Sequence, residues 1–260
     1  MFTEFLIAEG IEFNEELSVP FVPTDEVVVE TMLDLARVGR NDLLYDLGSG
    51  DGRIVVAAAM GREARAIGID MDPPRLEEAR EFAASVGVED RVEFLEEDFL
   101  TADFSRASVI TMYLLPSINL LLRPRFLSEL RPGTRIISHS FDMGDWKPDE
   151  KLHAGGVYIY KWTIPAPLAG TWQWQAANGK QYYLELTQEY QQLEGELWIN
   201  GAPAELVTSN LLGNRLRISV QETDAPAVDT FVFRYRDGEL HPLASGQPTS
   251  IATRPMTARA

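Results

Sequence analysis

Asp46, Asp70 and Asp98 each follow or close a short apolar run, and the first leads directly into Leu47-Gly48-Ser49-Gly50-Asp51-Gly52. Glycines at this spacing let the backbone approach a ligand closely, since a Cβ there would obstruct the turn or the ligand. They fall as G-x-G-x-G directly after an acid, not as the G-x-G-x-x-G of a dinucleotide site. An acid in that place is awkward beside a pyrophosphate but suits a cationic amino-acid group, and the ammonium of S-adenosylmethionine is such a group. Ser49 and Gly50 complete the loop that would face it. Asp70 lies 22 residues after Gly48, where an acid reaches two ribose hydroxyls. Asp98 is placed to accept from an adenine amino group, with Met71 and Phe99 as apolar faces for the ring. Any one Asp in an acidic chain reads most simply as solvated surface. Three of them at the ends of three successive strands share the carboxyl edge where such sheets bind ligands.

The elements that must hold these residues alternate. A helix is expected from Asp25 to Arg37, with Thr24 of N-cap type and acids in the first turn. Then come a strand at 42–47, the glycine loop, a helix at 53–60, a strand at 66–70, a helix at 73–86 with proline in its first turn, and a strand at 92–95. A strand at 109–113, a helix at 120–130 and a strand at 135–140 follow. This alternation argues for an α/β fold, a mainly parallel sheet with helices on both faces.

The texture changes after Pro165-Ala166-Pro167. Alternating segments at 182–186, 193–199, 216–220 and 231–235 are punctuated by Asn178-Gly179, Asn200-Gly201 and Asp237-Gly238, strong hairpin signals. The expectation is two domains, 1–165 for the ligand and 166–260 as a small all-β barrel or sandwich with a frayed tail from Pro255 to Ala260.

Composition narrows the partners. The chain has 260 residues and a net charge of −17, and residues 1–165 hold 30 acids against 16 bases. Nucleic-acid binding calls for a basic footprint, so no nucleic-acid partner is expected; a basic protein or a cationic small molecule would be attracted instead. There is no cysteine and the three histidines, His139, His153 and His241, lack ligand spacing, so no metal site is expected. No run is long and apolar enough for a membrane span. Met1 to Glu16 carries five acids and no base, the wrong charge for a targeting segment, which makes cytoplasm the default.

Together these residues resemble the class I S-adenosylmethionine-dependent methyltransferases, a Rossmann-like fold with a seven-strand sheet. Val19-Pro20-Phe21-Val22-Pro23-Thr24, Tyr45 through Arg53, Thr111-Met112-Tyr113-Leu114-Leu115-Pro116 and Arg135 through Trp146 are similar to the archaeal broad-specificity and mitochondrial protein-lysine N-methyltransferases. The resemblance covers 19–164. It implies that Pro23 and Thr24 close over the methionine end of the donor, and that Tyr113 and Leu114 line the methyl-transfer channel. Thr24 is equally explained as a helix cap, Tyr113 as a packed strand aromatic, and Trp146 better as a packing anchor. The reading is methyl transfer to a lysine amine of a protein acceptor, with Tyr113 the catalytic candidate. A small-molecule methyltransferase and a non-catalytic donor-binding or assembly protein stay open as alternatives.

Overall fold

The computed structural model describes residues 22–223, 226–246 and 248–255. The acidic N-terminal stretch, Val19 to Phe21 and the tail beyond Pro255 lie outside these residues. The chain divides into two compact units, one ending at Thr163 and one beginning at Ile164.

In the first unit, β1 (Leu43–Leu47), β2 (Arg65–Asp70), β3 (Val92–Glu96), β4 (Val109–Met112), β5 (Arg135–His139), β6 (Glu150–Ala154) and β7 (Val157–Thr163) form one sheet in the order β3-β2-β1-β4-β5-β7-β6. The first five run parallel, and β7 is antiparallel to both of its neighbours. The order reverses between β1 and β4, so a crevice opens at the carboxyl ends of β1, β2 and β4. Among the described residues, α1 (Glu26–Ala36) precedes β1, while α2 (Arg53–Arg62), α3 (Pro73–Ser85) and α4 (Pro116–Glu129) connect strands. Buried residues of α1, α2 and α3 share one core with Leu44, Val109, Ile137 and Ile159 of the sheet. The alternate residues Tyr45, Ile110 and Ile136 are buried as well. Both faces of the sheet are therefore covered, as its near-continuous apolar strands require.

Three local expectations are corrected. Thr24 is not the helix cap; Asp25 is, its carboxylate accepting from the Val27 amide at 2.9 Å. The fourth strand stops at Met112, which leaves Tyr113 on the loop beyond it. The helix after it starts at Pro116, four residues early, because proline lacks only an amide that a first turn would leave unpaired anyway. Residue patterning also gave no sign of β6 and β7. Edge strand β6 is exposed along most of its length and shows no alternation to read.

The second unit is a meander of β8 (Gly170–Gln175), β9 (Gln181–Glu189), β10 (Gln192–Ile199), β11 (Ala202–Leu212), β12 (Arg215–Glu222), β13 (Val228–Arg236) and β14 (Glu239–Pro242), each antiparallel to the next. Asn200-Gly201 and Asp237-Gly238 turn two hairpins with both residues at positive φ, the backbone that matches strand twist. Residues 249–253 then bond to both edges of the sheet. Gln173 and Thr253 exchange amide-to-carbonyl bonds of 2.9 and 3.0 Å, and Leu240 and Ala252 do so at 2.9 Å. One curled antiparallel sheet, a half-barrel whose two edges this segment bridges, replaces the two-sheet alternative. Its interior is packed by Trp172, Trp174, Tyr182, Phe231 and Phe233.

Candidate methyl-donor site

A cavity of about 450 Å³ opens at the carboxyl edge of the first sheet. Its wall includes Pro23, Thr24, Asp46, Gly48, Ser49, Asp70, Met71, Phe99 and Tyr113 of the expected residues, with Leu114 beside them. It also includes Asp51, Arg53, Asp72 and Arg75, which the sequence reading did not single out. Gly50 and Asp98 do not line it. The Gly50 amide instead donates to Asp70 at 2.7 Å, and the Asp98 carboxylate accepts from the Leu100 amide at 2.8 Å, shaping the loop that carries Phe99.

The glycine loop is tied down from β2. Gly48 and Ser49 donate to the Ile69 carbonyl, and the two Asp70 oxygens accept from Gly50 and from Asp72 at 3.0 Å. Asp70 thus fixes the loop while its remaining lone pairs face the cavity. Gly48 has φ +76°, and a Cβ there would stand 3.0 Å from Leu114 Cδ2. On β2, Gly68 leaves room for Ser49, whose hydroxyl would lie 2.6 Å from a Cβ at that position.

Asp46 is buried at 3% exposure, and its carboxylate accepts from the Thr111 hydroxyl at 2.8 Å. Burial raises its pKa to about 7; the Thr111 bond opposes the shift and the charges of Asp70 and Asp51 add to it. The buried Ser49 hydroxyl has no hydrogen-bond partner among the described residues. A carboxylate without a cation and a hydroxyl without a partner among the described residues, both lining one cavity, fit an amino-acid group bearing an ammonium.

Thr24, in the wall of this cavity, is held from two sides. Arg53 donates to the Thr24 carbonyl at 2.8 Å and is itself clamped by Asp51, at 3.0 Å from Nε and 2.5 Å from Nη2. Burial alone would raise the Asp51 carboxyl, but the Arg53 guanidinium outweighs it and holds that group below its ordinary value. On the other side, the Thr24 hydroxyl lies 3.2 Å from His139 Nδ1. The His139 ring stacks on Tyr113 with centroids 3.7 Å apart, and burial lowers its pKa to about 4. No sequence pattern places His139 against Thr24, 115 residues away.

The segment after β5 is fixed by α4. Asn119 Nδ2 donates to Ser138 Oγ and to the carbonyls of Phe141 and Asp142 at 3.2–3.3 Å, and Arg123 donates to the Met143 carbonyl at 2.9 Å. Trp146 is buried against Trp162, whose indole donates to the Trp146 carbonyl at 2.8 Å.

Comparison with known proteins agrees with this geometry. The family model described as the ANTKMT methyltransferase domain matches residues 46–150. A protein-lysine N-methyltransferase of Saccharolobus islandicus is 41% identical over 149 residues, covering 55% of this chain and 92% of the relative. The adenine nucleotide translocase lysine N-methyltransferase of Mus musculus is 34% identical, covering 57% of this chain and 64% of the relative. Among solved structures, an RNA methyltransferase from Salinibacter ruber in complex with S-adenosylhomocysteine is 51% identical with a TM-score of 0.56, covering 56% of this chain and 96% of that one. The chain therefore uses S-adenosylmethionine and belongs to the methyltransferase family of the protein-lysine N-methyltransferases.

Proposed function

We propose that this enzyme methylates the ε-amine of lysine in a protein acceptor, and that the cavity walled by Asp46, Ser49, Asp70 and Tyr113 is where it does so. The observation that carries the donor half is Asp46, a buried carboxylate with one side-chain hydrogen bond and no cation among the described residues. Asp46 would pair with the donor's ammonium, Ser49 Oγ would bond the same end, Asp70 would accept from the ribose hydroxyls, and Met71 and Phe99 would flank the adenine. When bound, S-adenosylmethionine supplies an already electrophilic methyl group. What is left to the chain is to align the acceptor in line with that group and to exclude water. Pro23, Thr24, Tyr113 and Leu114 line the same cavity, which supports assigning this task to them.

A lysine acceptor must lose a proton, against a reference pKa of about 10.4. An apolar channel beside a cation lowers that value, because both disfavour the ammonium form. Burial lowers the pKa of the His139 imidazole to about 4, which makes it a weak base, and its Nδ1 faces Thr24, so water is the simpler proton acceptor, with the Tyr113 phenol an alternative. The lysine reading draws on the names of the similar proteins in Saccharolobus and mouse.

The name of the Salinibacter neighbour favours a second acceptor, RNA. The excess of acids over bases in residues 1–165 opposes it, since such a surface repels a phosphate backbone. The two separate when the enzyme, methyl-labelled donor and a cell lysate are incubated together and the products are divided by protease and by ribonuclease. Label released by protease is expected. Label released by ribonuclease alone, or found only among small molecules, would overturn the lysine assignment.

A further inference from the structure

His139 is the last residue of β5, buried at 5% exposure, and it touches both walls of the cavity. Its ring lies against Tyr113 at 3.7 Å between centroids and 29° between planes, and Phe141 stacks near Tyr113 at 6.2 Å. Its Nδ1 is 3.2 Å from the Thr24 hydroxyl. The backbone beyond it is set firmly. Ser140 takes φ +67°, its amide donates to the Tyr158 carbonyl at 2.8 Å, and the Phe141 amide donates to the His139 carbonyl at 2.9 Å. A non-glycine residue in the left-handed region costs free energy that the surroundings must offset. Here that turn ends β5 and directs the strand's last side chain, His139, to a position between Thr24 and Tyr113.

We propose that His139 is a positioning residue, a link between Thr24 and Tyr113 that fixes the gap through which the acceptor amine approaches. The proposal rests on the reading of this cavity as the donor site and of Tyr113 as a wall of the acceptor channel. Arg53 holds the Thr24 backbone from the glycine-loop side, and His139 holds its side chain from the β5 side. Tyr113, on a loop beyond β4, depends on ring stacking for its orientation. An error of about 1 Å in such a wall costs on the order of a hundredfold in rate, so a link of this kind governs alignment more than stability.

Two substitutions in the full chain separate its contacts. His139→Phe keeps a ring against Tyr113 and removes the bond to Thr24, while His139→Asn keeps a hydrogen-bonding side chain and removes the ring. S-adenosylhomocysteine affinity is measured by calorimetry. Transfer to a lysate protein fraction is measured as total methyl-lysine and as the ratio of mono-, di- and trimethyl-lysine. His139→Phe is expected to weaken S-adenosylhomocysteine about fivefold, the worth of one hydrogen bond, and, with only the Thr24 side of the gap released, to shift the methyl-lysine ratio less than His139→Asn does. His139→Asn is expected to hold affinity within about twofold, to lower total transfer at least tenfold and to alter the ratio. Equal losses of affinity and transfer in both variants, with lowered melting temperatures, would reduce His139 to a structural residue and overturn the proposal. So would wild-type behaviour in both. If the lysine reading itself fails, the wild type yields no methyl-lysine, and the calorimetric arm still decides the link to Thr24.

Discussion

Burial leaves the Asp46 carboxyl with the Thr111 hydroxyl as its sole side-chain hydrogen-bond partner among the described residues, while Asp70 has one backbone amide on each oxygen. The two acids therefore answer differently to pH and to substitution. Asp46 has a pKa of about 7 in the folded chain against 3.8 ordinarily. The native state then holds an extra proton between about pH 4 and 7, and stability falls as pH rises through that window. Asp46→Asn removes this dependence. The melting temperature of that variant should gain on the wild type as pH rises from 4 to 7, while its affinity for S-adenosylmethionine drops at least tenfold, since a charged hydrogen bond is worth about 1.5–3 kcal/mol. In the wild type, calorimetry should show donor affinity strengthening from pH 5.5 to 7, because the ammonium pairs with the ionised carboxylate. A flat profile would contradict the pairing. Asp70→Ala loses the two loop bonds as well as any contact with ribose, and Gly48→Val forces a β-branched residue to φ +76° against Leu114. Each should abolish donor binding, and retained affinity in both would move the site away from this loop.

At the scale of elements, the glycine loop and the parallel strands were readable because each is a local pattern: an apolar run, an acid, glycines at fixed spacing. Asp46, Asp70 and the face offered by Phe99 were legible for the same reason. Arg53 and His139 were not, because their partner Thr24 is distant in the chain and nothing in the spacing signals the contact. Asp98 has a local role that its position after β3 did not signal: one carboxylate oxygen accepts from the Leu100 amide and shapes the loop that carries Phe99. The closing segment at 249–253 was also invisible, since three isolated bridges leave no alternation in sequence. It nevertheless covers the free edges of β8 and β14, and exposed sheet edges invite association. Ending the chain at Gly246 should lower the melting temperature of the second unit by several degrees and promote aggregation, as scattering during a thermal ramp would show. An unchanged melt would mean that the closing bonds contribute little.

For the whole molecule, the similarity to methyltransferases spans little more than half of the chain, and each unit has an apolar core of its own. We propose that 1–165 is the catalytic domain and 166–260 an accessory domain that selects acceptors. Removing residues 168–260 should leave S-adenosylmethionine affinity within about twofold and change which lysate proteins are labelled; an unchanged set of labelled bands would assign the barrel to stability or assembly. The central claim, lysine methylation from the cavity at Asp46 and Asp70, is tested most directly by amino-acid analysis of an acid hydrolysate of the protein fraction labelled by wild type and by Asp70→Ala. Methyl-lysine with the wild type and none with the variant is the predicted result. No methyl-lysine with the wild type, or an equal amount with Asp70→Ala, would contradict it.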